Sequence, residues 1–117
     1  FIRMAFKELG VELAFKGNGV DEKGIISSID SSLMERLNIN TSLQVGQEVL
    51  AIDPRYFRPT EVELLIGDPT KSKTKLGWKP EYDLPKLVSE MVAADLELFK
   101  KDLHLLEGGH KILKQAE

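Results

Sequence analysis

The sequence predicts an α+β fold, a small mixed domain of short strands closed by one long C-terminal helix. Three observations carry that expectation. Val11-Glu12-Leu13-Ala14-Phe15 alternates apolar and polar residues, and the compact apolar run Val49-Leu50-Ala51-Ile52 stops at Asp53-Pro54, so both read as strands. Leu84, Leu87, Val88, Met91, Val92, Leu98, Phe99 and Leu106 lie close to one helical stripe, while Glu90, Glu97, Lys100 and Lys101 lie largely off it. Pro54, Pro59, Pro69 and Pro80 cut the stretch between into short pieces, because each proline biases its predecessor away from helix.

The elements follow in order. Ile2, Ala5, Phe6 and Leu9 repeat at helical spacing, and Gly10 can take the left-handed conformation that closes a helix. The strand at 11–15 leads into the turn signal Gly17-Asn18-Gly19, and the β-rich run 24–29 reads as a second strand. Residues 31–37 suit one or two helical turns, and 38–47 read as loop. The strand at 49–52 is expected to be buried. Glu61-Val62-Glu63-Leu64-Leu65-Ile66 alternates at its start and leans to strand. Asp68-Pro69-Thr70 opens a helix that runs to Leu76 and stops at Gly77. Trp78 is expected to fold back onto that helix as a core anchor, and Met91 to be core on the long helix. Asp83 caps the long helix and Gly108-Gly109 ends it, which leaves 1–107 as the domain and 108–117 as a polar tail.

Composition narrows the function. The 117 residues hold 16 basic and 19 acidic side chains, a formal charge of −3, with 42% apolar residues. That is ordinary globular composition for one domain, without a basic face for nucleic acid or the ~20-residue apolar run of a membrane span. There is no cysteine, so thiolate catalysis and thiolate metal sites are excluded. His104 and His110 stand six apart, without neighbours at metal-ligand spacing. No nucleophile elbow and no phosphate-cradling glycine loop is present. The opening Phe1-Ile2-Arg3-Met4 begins inside a helical pattern without a cap, and the expectation is a piece of a longer protein.

One stretch does suggest binding. Asp53-Pro54-Arg55-Tyr56-Phe57-Arg58-Pro59-Thr60-Glu61 combines two arginines, two aromatics, two prolines and a terminal carboxylate. A guanidinium is a planar fork suited to phosphate oxygens. Pro59 stiffens the chain beside Arg58, and a carboxylate three residues on can accept from two neighbouring hydroxyls, as on a ribose. Tyr56 and Phe57 can supply an apolar wall. The other reading is a surface arginine pair with aromatics packed in the core.

At Arg58 to Pro80, RPTEVELLIGDPTKSKTKLGWKP resembles the C-terminal signature of the extended short-chain dehydrogenase/reductases that act on nucleotide sugars. The longer strings VELAFKGNGVDEKGI and VLAIDPRYFRPTEVELLIGDPTKSKTKLGWKPEYDLPKLVSEMVAADLE are similar to the GDP-mannose 4,6-dehydratases within that group, over roughly residues 1–100. The resemblance implies a two-domain cytoplasmic lyase of the GDP-fucose pathway. In it an N-terminal Rossmann domain holds NADP and the catalytic groups, and a smaller C-terminal lobe closes over GDP-mannose. It implies a homo-oligomer and makes this chain the lobe, inactive by itself. Arg58 matches the arginine that pairs with the diphosphate, and Glu61 the residue that accepts from the ribose. Arg55 and Tyr56 share the motif without an assigned role. No catalytic, NADP-binding or metal residue is matched. A related nucleotide-sugar epimerase and a free-standing nucleotide-binding module are the alternatives. The segment 31–47 reads as an insertion without a role.

Overall fold

The fold is known from a computed structural model, which describes residues 1–60 and 65–112. Helix α1 (Ile2–Glu8) leads into β1 (Val11–Lys16), and a 3-10 turn at Gly19–Asp21 leads into β2 (Lys23–Ile29). Helix α2 (Ser31–Arg36), strand β3 (Glu48–Ala51), helix α3 (Thr70–Leu76) and helix α4 (Leu84–Glu107) follow. The three strands form one antiparallel sheet in the order β1-β2-β3. Val11 pairs with Ile29 at one end of the first hairpin and Lys16 with Lys23 at the other, with a bulge between Glu12 and Leu13. Strand β3 returns along β2, so that Ala51 lies opposite Lys23.

Local chemistry explains most of the boundaries. Gly10, at φ 82°, ends α1, and its carbonyl accepts from the Asp30 amide at 2.7 Å. The Asp30 side chain in turn accepts from Leu33 N at 3.0 Å and starts α2. Asp83 accepts from Lys86 N at 2.9 Å and caps α4. Asp68 acts one position earlier than a standard cap: it accepts from the Thr70 amide at 3.0 Å and from the Thr70 hydroxyl, while Pro69 holds the cap position. Gly77, at φ 64°, ends α3.

The core is small. Val11, Leu13, Ile26 and Met34 are buried together, and Phe6, Phe15, Ile29, Ile39, Leu43 and Val49 pack against them. Ile39 and Leu43 come from the segment read as an insertion. That segment closes the core and continues the edge of the sheet, since Ile26 N donates to Gln47 O at 2.9 Å and Gly46 N to Ile26 O at 2.8 Å.

Three expectations are corrected. Among the described residues strand β3 is an edge strand, paired with β2 alone: Val49 and Leu50 are half-buried and Ala51 is exposed. Trp78 does turn back toward α3, lining a shallow hollow with Pro69, Ser72 and Leu76, but it is 47% exposed and anchors no core. Met91 is 44% exposed, and of the α4 stripe only Val88 is fully buried. The strand expected at 61–66 falls mostly outside the described residues. Its described end, Leu65 and Ile66, is exposed and in no regular element. The end of the tail, 113–117, also lies outside them. Among the described residues no helix is long and apolar enough to cross a membrane.

Candidate functional site

The sheet delivers the arginine loop to one end of the molecule. Ala51 ends β3 opposite Lys23, the first residue of β2, so the chain leaves the sheet beside the β1–β2 connection. That connection is tight. Gly17 has φ 87°, and a Cβ there would lie 2.3 Å from the Asp21 carbonyl oxygen, so no other residue fits unstrained. The Phe57 ring rests against Gly19, within 3.6 Å of where a Cβ would stand. Phe57 thus seats the loop on the turn, and Gly19 meets the aromatic of the arginine motif.

The loop turns back on itself at Asp53. Tyr56 N donates to Asp53 O at 3.0 Å, closing a four-residue turn with Pro54 second, where its fixed φ fits. The Asp53 carboxylate accepts from Arg55 N at 2.9 Å, from Arg55 Nε at 3.0 and 3.2 Å, and from Arg55 Nη2 at 2.7 Å. These bonds hold the Asp53 carboxyl below its ordinary pKa and raise that of Arg55. The Arg55 guanidinium also stands 5.7 Å from the centre of the Tyr56 ring.

Ile52, Arg55, Tyr56, Phe57 and Arg58 line one open hollow of about 530 Å³. The structure therefore brings Arg55, Tyr56 and Arg58 to one wall. Tyr56 is 78% exposed, so it is a surface ring and not part of the core. Glu61, the fourth candidate, lies outside the described residues. The residue that sequence reasoning missed is Asp53. The sequence marks it as the stop to a strand and the start of the arginine stretch, with no role of its own, although an aspartate two residues before an arginine and followed by proline is the signal for such a turn. Among the described residues no group of three His, Asp or Glu is placed to hold a metal ion.

Two guanidiniums and two aromatic rings around one hollow suit a ligand with a diphosphate and a ring system. The family model described as GDP-mannose 4,6 dehydratase matches residues 1–91. The chain belongs to the GDP-mannose 4,6-dehydratase family. A GDP-mannose 4,6-dehydratase of Vibrio cholerae is 47% identical over the whole chain, which spans 30% of that protein. One from Yersinia enterocolitica is 45% identical over 96% of the chain and 28% of its own length. One from Caenorhabditis elegans is 39% identical over 87% of the chain and 22% of its own length. The chain thus spans about 30% or less of these relatives. The arginine loop lies inside the matched region, as do α3 and the first turns of α4.

Proposed function

We propose that residues 1–107 form the nucleotide-sugar-binding C-terminal lobe of a GDP-mannose 4,6-dehydratase, with 108–117 as its tail. The reaction is conversion of GDP-mannose to GDP-4-keto-6-deoxymannose. One observation carries the reading: a chain that matches this family brings Arg55, Tyr56 and Arg58 to one hollow. Arg58 pairs with the diphosphate and Glu61 accepts from the ribose hydroxyls. Arg55 and Tyr56 form the wall beside them.

NADP fits no part of the described residues. They build a three-stranded antiparallel sheet without a βαβ unit, and a βαβ unit is what places a helix N-terminus under a dinucleotide. NADP and the catalytic groups belong to a Rossmann domain outside these residues, and no step of the reaction is assigned to this chain. Its part is to bind and orient the substrate, in a cytoplasmic homo-oligomer.

Calorimetric titration of GDP into the intact protein tests the reading. Arg58→Ala is expected to weaken GDP by about 2 kcal/mol, as for a charge-assisted hydrogen bond. An unchanged dissociation constant removes Arg58 from the site. Titration with UDP separates a guanine enzyme from a related epimerase, because Arg58 and Glu61 contact only groups that all nucleotides share.

A further inference from the structure

Asp53 stands beside the hollow as the ion-pair partner of Arg55, and the proposed function gives it no task. We infer that Asp53 is a positioning residue for the nucleotide site: its carboxylate fixes the Arg55 guanidinium at the wall of the hollow and presents the remaining donors to a diphosphate. This rests on reading the hollow as a nucleotide site.

The geometry is specific. Asp53 takes the Nε–Nη2 edge of Arg55 with both oxygens, at 2.7 to 3.2 Å, and the Arg55 amide with one of them. Nη1 takes no part in these bonds. The Asp53 side chain is 37% exposed and that of Arg55 80%, so the carboxylate is the anchor and the guanidinium the group that reaches out. An ion pair this exposed contributes little to folding. What it does is remove rotamer freedom from a long side chain before a ligand arrives, which lowers the entropy lost on binding.

A double-mutant cycle on the intact protein, read by GDP calorimetry, decides the matter. Arg55→Ala and Asp53→Ala are each expected to weaken GDP about tenfold, and the double variant no further than Arg55→Ala alone. Asp53→Asn is the critical variant. Its amide oxygen still accepts from the Arg55 N–H and keeps the turn, but it cannot take the guanidinium with two oxygens. Weakening like that of Asp53→Ala supports positioning. Wild-type affinity in Asp53→Asn reduces Asp53 to a turn former and overturns the inference, as does full additivity of Asp53→Ala with Arg55→Ala. Should Asp53→Ala fail to fold, the same cycle is run with Asp53→Asn. If the unaltered protein has no affinity for GDP, the nucleotide reading falls and the positioning role falls with it.

Discussion

At the scale of single residues, the Asp53–Arg55 pair makes a direct prediction about acid. Hydrogen bonds from Arg55 favour the ionised Asp53, so its folded-state pKa lies below the ordinary 3.8. The sign follows: the pair's contribution is present above the unfolded-state value and is lost as pH falls through the lower, folded-state value. A titration of the Asp53 carboxyl carbon by NMR is expected to show a midpoint below 3.8, moving up in Arg55→Ala. A midpoint that ignores Arg55→Ala would show that the fork is not occupied in solution. Arg55 and Arg58 were legible in the sequence as candidates for phosphate binding, since a guanidinium is a planar fork suited to phosphate oxygens. Asp53 was not, because its role depends on a turn that brings it back to Arg55.

At the scale of elements, two substitutions contrast. Gly17→Ala forces a non-glycine residue to φ 87° and drives its Cβ into the Asp21 carbonyl. It is expected to destabilise the protein by more than about 1 kcal/mol, the cost of a left-handed conformation without the clash. Urea denaturation checks it, and an unchanged midpoint would show that the β1–β2 connection relaxes. On α4, Val88 is fully buried while Met91, three residues on, is 44% exposed. Val88→Ala should cost about 2 kcal/mol and Met91→Ala well under 1 kcal/mol in the same assay. Equal losses would contradict the burial of Val88 beside the exposure of Met91. The helices and strands themselves were readable from periodicity and caps: α4 begins and ends where Asp83 and Gly108 place it, and β1 and β2 where their apolar patterns do. The burial of β3 and Met91 was not readable. Periodicity identifies an apolar face, but what covers that face is a property of the neighbours.

At the scale of the whole molecule, the chain encloses less than its length allows. Its radius of gyration is 18.3 Å, against about 13 Å for a compact chain of 117 residues. Its accessible surface is 10256 Å², against about 6,400 Å² for a compact protein of 13.1 kDa. The excess includes Leu84, Leu87, Leu98, Phe99, Leu76 and Trp78, all large apolar side chains at the surface. Such side chains stay in water at a free-energy cost unless another surface covers them. The 117-residue chain alone is therefore expected to bind the dye ANS strongly, and the longer protein proposed above to bind it weakly per molecule. Equal and weak binding by both would mean that α3 and α4 close on themselves in solution.

The sequence by itself determined the α+β class, the order of most elements, the family and the two arginines of the candidate loop. Each of those is written in local pattern, in residue type and spacing. Only the tertiary structure decided that Phe57 seats the loop on Gly19, that Asp53 holds Arg55, that Ile39 and Leu43 close the core, and that Trp78 and most of α4 stay exposed. The reason is that burial and pairing between distant residues depend on which surfaces meet, and a local pattern records only that a surface is apolar.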